Sequence, residues 1–206
     1  RQQEDAGKLV GIGIRASKSE SGFIQVNEVY PDSPAEDAQI KAGDLIVKVN
    51  DIDVTADTYE SAITEIGGQA GTKLSLTVRS DNKDREIAEI TRRVVVTPTI
   101  YSHMIGTTGY VKITDFNENT YDQFKKALEN LVGNQGAQSL IFDLRNNTGG
   151  LVDPAIKMLD MLLPEGVIAT ATYRDGSTEV LGNSDANCID LPMAVLTNEN
   201  TASAAE

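Results

Sequence analysis

The sequence predicts an α+β/α/β chain built from a mostly β unit followed by a layered α/β unit. Short β-branched runs separated by turn residues fill the first half, and such runs are typical of strands. After about residue 97, strands alternate with amphipathic helices, which indicates a layered α/β domain. We therefore divide the chain into an N-terminal tail at residues 1–6, a β unit at 7–97 and an α/β unit at 98–206.

In the β unit, one predicted helix lies among several predicted strands. The helix covers residues 57–66, with Asp57 or Thr58 as its cap and Gly67 as its stop. The strands cover 22–26, 44–49 and 71–78. In the last of these, alternation places one apolar face toward the core. Its members are Leu74, Leu76 and Val78.

In the second unit the predicted elements alternate strand and helix, as in a series of βαβ units. The predicted strands cover 109–114, 139–144, 167–173 and 193–196, and the predicted helices cover 119–132 and 151–163. The first helix is amphipathic, with Phe124, Leu128 and Leu131 on one face. Residues 97–101 interrupt the pattern, so we expect a domain junction there.

Composition excludes several classes of protein. Acidic residues outnumber basic ones by 31 to 18, and the net charge of −13 repels phosphate backbones, so we predict no nucleic-acid partner. The single Cys188 permits no internal disulfide, and the sequence contains no Cys/His spacing for a metal, so no metal is predicted. No apolar run is long enough to span a bilayer, so membrane association is expected only through an anchor outside this sequence.

A glycine-containing tetrapeptide, Gly11-Ile12-Gly13-Ile14, precedes a predicted strand. Two glycines allow consecutive backbone N–H groups to converge on a carboxylate, and an edge strand beside them can pair with an extended peptide. A simple strand start with glycines is the alternative interpretation.

The surrounding sequence resembles the PDZ family of bacterial proteases. The resemblance rests on IKAGDLIVKVN at 40–50 and GTKLSLTVR at 71–79, and it covers nearly all of residues 7–97. It implies that a protein or peptide substrate with a free C-terminal carboxylate lies between the first strand and the helix at 57–66. The residues of the implied carboxylate-binding loop are Leu9, Val10, Gly11, Ile12, Gly13 and Ile14.

Near the end of the chain, a short apolar strand leads through a polar turn to Ser203. A strand–turn–helix of this kind can present a serine hydroxyl as a nucleophile. On spacing alone, Ser203 and Glu206 also fit a capping box at the start of a helix, and that alternative stays open. Of the bases that could activate the serine, His103 is expected in a solvated linker, and Lys157 on a helix could equally face water.

Around Ser203 the second unit resembles the C-terminal processing peptidases, also called tail-specific proteases. The motifs are GYVKITDF at 109–116, LIFDLRNNTGG at 140–150 and PMAVLTNENTASAAE at 192–206. The resemblance implies a crotonase-like peptidase domain in which Ser203 is the nucleophile and the N–H groups of Gly149 and Ala204 form the oxyanion hole. It implies no cofactor, and a lysine base about two dozen residues beyond Ser203. We therefore expect the peptidase domain to be C-terminally incomplete.

Two further features have competing interpretations. Asp143 and Arg145 are expected to form a structural ion pair at a strand end, and Thr148 stands where the family more often has proline. A set of arginines near the end of the first unit is a weak candidate for coupling the PDZ unit to the peptidase, although solvated surface charges are the expected role. These arginines are Arg79, Arg92 and Arg93.

The sequence thus predicts a serine endopeptidase that recognises free C-terminal tails through its PDZ domain. The alternative is an inactive PDZ adaptor with a degenerate peptidase fold. Because the chain begins at Arg1 and the resembling family is typically extracytoplasmic, we expect a protein of the bacterial cell envelope, anchored or secreted. A homo-oligomer is compatible with the sequence.

Overall fold

The computed structural model describes residues 7–206, and the predicted tail at 1–6 lies outside the described residues. The chain folds into two compact units. One comprises Lys8–Thr97 and the other contains Pro98–Glu206.

The first unit is a six-stranded sheet with a separate pair of strands and two helices. Its elements are β1 Lys8–Gly11, β2 Ile14–Lys18, β3 Ile24–Val29, α1 Pro34–Asp37, β4 Leu45–Val49, β5 Ile52–Asp53, α2 Tyr59–Ile66, β6 Lys73–Ser80, β7 Lys83–Thr91 and β8 Arg93–Val96. The sheet order is β2-β3-β4-β6-β7, with β5 paired to β4, so β2 is an edge strand. Strand β1 pairs with β8 in the separate ladder.

Helix α2 forms from an amphipathic sequence whose buried side packs on the sheet. Ala62 and Ile66 are buried there. Thr58 occupies the N-cap position but makes no side-chain capping hydrogen bond, and Gly67 ends the helix as predicted. On the facing sheet, alternate residues of β6 are at most 3% exposed, which confirms their predicted core face. They are Leu74, Leu76 and Val78.

The second unit is a mixed α/β domain around a four-stranded sheet of order β14-β11-β10-β9. Its elements are β9 Ile100–Ile105, β10 Thr108–Ile113, α3 Thr120–Leu128 with a π-helical extension Glu129–Asn134, β11 Ser139–Asp143, α4 Val152–Asp160, β12 Gly166–Thr172, β13 Thr178–Ser184, β14 Met193–Leu196 and a 3₁₀ turn Ser203–Ala205. Strands β10, β11 and β14 are parallel, and β9 pairs antiparallel with β10. The predicted fold class, a β-rich unit followed by an α/β unit, is confirmed.

One strand of this unit was not predicted, and one expectation about the unit was wrong. The interruption at 97–101 contains the start of β9, whose mixture of exposed apolar and polar residues hides the alternation of a strand. Strand β12 was expected to continue the βαβ series, but it pairs with β13 in a hairpin outside the central sheet.

The core of the second unit confirms the predicted helix face. Phe124, Leu128 and Leu131 are each at most 1% exposed. The ring of Phe124 lies 5.7 Å from that of Phe142 on β11, centroid to centroid. This packing fixes the end of β11 from which the next loop departs. Among residues 7–206, no helix is both long and apolar enough to cross a membrane.

Candidate active site

The two loops that carry the predicted catalytic residues leave the same edge of the central sheet. Strands β11 and β14 are adjacent and parallel, with Asp143 opposite Leu196. Because the carboxyl ends of adjacent parallel strands meet at one edge, the loop at 144–150 and the loop at 197–202 must lie side by side. Sequence order, which separates them by about fifty residues, gives no hint of this proximity.

Asparagine side chains fasten these two loops together. The Asn146 N–H donates to Asn198 Oδ1 at 2.9 Å, and Asn198 Nδ2 donates back to Asn146 Oδ1 at 2.8 Å. The Ala202 N–H donates to the Asn147 carbonyl at 3.1 Å. Sequence reasoning missed this network, since single asparagines in loops are ordinary turn residues.

Ser203 is exposed, and its hydroxyl makes no hydrogen bond within the described part of the chain. Its backbone has φ of 57°, the left-handed region that a non-glycine residue occupies only at a cost. Half of the alternative capping box forms, because the Ser203 N–H donates to Glu206 Oε2 at 2.8 Å. The N-cap position, however, is Ala202, so the Ser203 hydroxyl caps nothing.

The structure brings Gly149 and Ala204 to Ser203. A Cβ placed on Gly149, where φ is 103°, would lie 2.8 Å from Ser203 Cβ and 3.0 Å from the Ala204 nitrogen. The Gly149 N–H donates to Asn147 Oδ1 at 2.8 Å and is therefore engaged. The Ala204 N–H donates no hydrogen bond to any of the residues 7–206, and it is available to an oxyanion.

The predicted ion pair at the end of β11 is confirmed. Arg145 Nη2 lies 2.6 Å from Asp143 Oδ2, and the Tyr110 hydroxyl donates to the same oxygen. Asp143 is only 1% exposed. Hydrogen bonds from Arg145 hold the pKa of Asp143 well below its usual range, and the bond to Asp143 raises the pKa of Tyr110. The pair fixes the start of the glycine loop with a carboxylate whose lowered pKa keeps it ionised at neutral pH.

Neither candidate base, His103 or Lys157, forms a hydrogen bond with Ser203 in the described part of the chain. His103 was expected in a linker, but it lies on β9, with its ring 5.0 Å from that of Tyr110. Strand β9 is at the opposite edge of the sheet from β14, about 14 Å away at the usual strand spacing. Lys157 is exposed, and its Nζ lies 6.0 Å from the centroid of the Tyr121 ring.

An apolar cavity of about 230 Å³ adjoins the Ser203 turn. Its lining includes Phe116, Phe142, Met158, Leu162 and Ala204. Because few polar groups face it, the cavity favours an aliphatic or aromatic side chain over a charged one.

In the first unit, all six residues of the predicted loop line one groove of about 360 Å³. The N–H groups of Ile12 and Gly13 donate no hydrogen bond within the described chain, so they are free to bind a carboxylate. Across the groove lie Ile63 and Ile66 of α2. The groove therefore combines free backbone donors with apolar walls.

Of the arginines considered for coupling, Arg92 contradicts the expectation of a surface charge. It is 5% exposed and donates to the carbonyls of Glu65 and Ile66 at 2.5 and 3.2 Å, at the end of α2. Arg79 and Arg93 are more accessible and form surface ion pairs. Arg92 thus satisfies helix-terminal carbonyls beside the groove.

The two glycines of the loop are expected to differ sharply. Gly13 has φ of 80°, and a Cβ there would lie 2.3 Å from Ser33 Cβ, whereas a Cβ on Gly11 meets nothing closer than Leu9 Cδ1 at 3.7 Å. We predict that Gly13→Ala destabilises the first unit by about 2 kcal/mol or more, while Gly11→Ala changes stability by less than about 1 kcal/mol. Thermal unfolding of both variants measures the difference, and equal effects would contradict this account of Gly13.

A peptide-sized groove on a β-rich unit, followed by an α/β unit that presents a serine on a strained turn, defines the class of PDZ-containing serine peptidases. The profile of peptidase family S41 matches residues 107–206, and that of the PDZ domain matches residues 25–80. The second unit therefore belongs to peptidase family S41, and it follows a PDZ domain.

Individual relatives are C-terminal processing proteases. The carboxy-terminal processing protease CtpA of Bacillus subtilis is 34% identical over 95% of this chain and 42% of its own length. A carboxyl-terminal-processing protease of Picosynechococcus is 31% identical over 98% of this chain and 50% of its own length. The chain thus spans about half the length of these curated relatives. The structure of the photosystem II D1 C-terminal processing protease superposes with a TM-score of 0.50 and 26% identity, covering 99% of this chain and 57% of the other.

Proposed function

We propose that the full-length protein is a serine endopeptidase that captures free C-terminal tails in the PDZ groove and hydrolyses peptide bonds at Ser203. The observation that carries this proposal is the unbonded, exposed Ser203 hydroxyl beside the free Ala204 N–H. A helix cap would use that hydroxyl, and serine is not among the residues (glycine, asparagine and aspartate) that favour a φ of 57°.

In the proposed reaction, Ser203 Oγ attacks the scissile carbonyl carbon, and the Ala204 N–H donates to the developing oxyanion. The Gly149 N–H becomes the second donor when it exchanges Asn147 Oδ1 for the substrate oxygen. Each donor of this kind contributes roughly a hundred- to a thousand-fold in rate. The proton of Ser203 passes to a lysine about two dozen residues beyond it, as the family resemblance implies, and then to the leaving amine.

Substrate capture is proposed to use the first unit. The carboxylate of the tail binds the N–H groups of Ile12 and Gly13, and the tail pairs along the edge strand β2. The final side chain lies against Ile63 and Ile66. We also propose an extracytoplasmic location on the basis of the family resemblance.

The test compares two substrates that differ only at the terminus. An unstructured protein with an apolar C-terminal residue is prepared as the free acid and as the carboxamide, and cleavage by the full-length protein is followed by mass. We predict that the carboxamide is cleaved at least about tenfold less efficiently, because a charge-assisted pair of hydrogen bonds is lost.

The control is a short peptide that carries only the cleavage site, prepared with each of the two termini. Its two forms are expected to be cleaved at equal rates, and both cleavages are expected to depend on Ser203. Cleavage of the free acid and the carboxamide at equal rates would contradict tail recognition. Binding of the free acid without any cleavage would favour the inactive adaptor.

A further inference from the structure

Strand β2 ends in a cation, Lys18, just beyond the residues that line the PDZ groove. Its alternate residues Ile14 and Ala16 pack against the core of the first unit on the side that faces the groove. Because side chains alternate along a strand, Lys18 shares this face, two residues beyond Ala16. Lys18 is the last residue of β2.

Lys18 is held in place beyond the end of the groove that lies away from the carboxylate-binding loop. Its Nζ donates to the Ala56 carbonyl at 2.7 Å and lies 5.3 Å from the centroid of the Tyr59 ring, at the first turn of α2. An ammonium group has three donors, so two remain for a ligand.

No carboxylate neutralises Lys18 within the described residues. Asp57 and Glu60 adjoin Ala56 and Tyr59 in the sequence, yet neither lies within ion-pair distance of Lys18 Nζ. Lys18 is therefore an exposed cation, fixed by a carbonyl and a ring. Its acidic neighbours weaken the positive potential there, so the expected selectivity is modest.

We propose that Lys18 makes the groove selective for tails with an acidic residue four positions before the terminal residue. This inference rests on the proposed tail binding. A tail paired antiparallel with β2, with its carboxylate at Ile12 and Gly13, places its terminal side chain beside Ile14. Residues advance about 3.3 Å along a strand, so the side chain four positions earlier lies about 13 Å away, opposite Lys18 and on the same face.

Arg15 is the competing cation on β2, and the alternation of side chains along the strand distinguishes it from Lys18. Arg15 adjoins the groove, but alternation along β2 turns its side chain away from the face of Ile14 and Ala16, and its Nε is already paired with Glu28 Oε2 at 3.1 Å. A tail recognised through Arg15 would carry its acid one or three positions before the terminal residue.

The experiment measures Kd for a panel of labelled peptides by fluorescence anisotropy, with the full chain carrying Ser203→Ala so that no peptide is consumed. The peptides share an apolar terminal residue and carry Glu, Gln or Lys at one to five positions before it. With Lys18 present, Glu at the fourth position is expected to bind about two- to fivefold more tightly than Gln, and Lys more weakly. Lys18→Glu is expected to reverse that order. Near 1 M salt, where the screening length is about 3 Å, the preference is expected to disappear.

Lys83→Glu is the matched control, because it makes the same charge change at an exposed position on β7. It is expected to leave the order of the peptides unchanged. A preference that persists in Lys18→Glu, or that peaks one or three positions before the terminus, would overturn the proposal. Equal binding of the Glu, Gln and Lys peptides would overturn it too, while leaving tail recognition intact. Failure of every peptide to bind, including the apolar reference, would instead contradict the proposed function.

Discussion

Replacing Ser203 by alanine in the full-length protein is expected to reduce peptide hydrolysis by up to about 10⁶-fold, to the level that binding and the oxyanion donors alone sustain. The hydroxyl is the proposed nucleophile, and no other group in the site can supply the bond to the acyl carbon. Mass analysis of a tail-bearing substrate over long incubation measures the residual rate.

The same substitution is expected to leave the fold unchanged, because the Ser203 hydroxyl makes no hydrogen bond in the described chain. Ser203→Gly adds a second readout. Glycine accepts the φ of 57° without strain, so this variant should be more stable than Ser203→Ala by about 1 kcal/mol. Retained hydrolysis in both variants would remove Ser203 from the mechanism.

Replacing Gly149 by alanine is expected to lower the rate of hydrolysis by about a hundredfold or more. The new Cβ would lie 2.8 Å from the Ala202 carbonyl oxygen and 2.8 Å from Ser203 Cβ, so the two loops must separate. If the N–H groups of Gly149 and Ala204 move away from the oxyanion, the transition state loses stabilisation, because such donors must be fixed in position before the charge develops. The effect is expected mainly on kcat, because tail binding in the other unit does not involve this loop.

Gly136→Ala is the matched control for this prediction. Gly136 also has a positive φ, of 69°, but a Cβ there meets nothing within 4 Å. It imposes comparable backbone strain in the same unit without touching the site. If both variants lose stability and activity equally, strain alone explains the Gly149 effect, and the close approach of the loops has no catalytic role.

Periodicity predicted most of the fold, because burial repeats along the chain wherever a helix or strand packs on one side. Phe124, Leu128 and Leu131 recur at helical spacing, and Leu74 and Leu76 recur at strand spacing, so both faces were predicted correctly. Strand β9 was not predicted because its outer residues remain exposed on a sheet edge, where burial imposes no alternation of apolar and polar residues. The hairpin of β12 and β13 was not predicted for a different reason. Strand pairing is a long-range choice that periodicity does not encode.

The candidate site was predicted unevenly. Motif resemblance identified Ser203, Gly149 and Ala204, and the structure places the three together. The asparagine bonds between Asn146 and Asn198, the engaged Gly149 N–H and the burial of Arg92 were not predicted. Each depends on which loops meet in space, and a loop sequence records local turn preference rather than its distant partner.

The sequence by itself determined the order of the two units, the core faces of their helices and strands, and the residue types that chemistry requires at the serine turn and the glycine loop. Only the tertiary structure decided that two loops about fifty residues apart share one edge of a parallel sheet. The same is true of Lys18, which reaches Tyr59 of α2 only because the end of β2 and the start of α2 meet in space. Local pattern follows from burial at short range, whereas a functional site is made by contacts between segments that the chain order keeps apart.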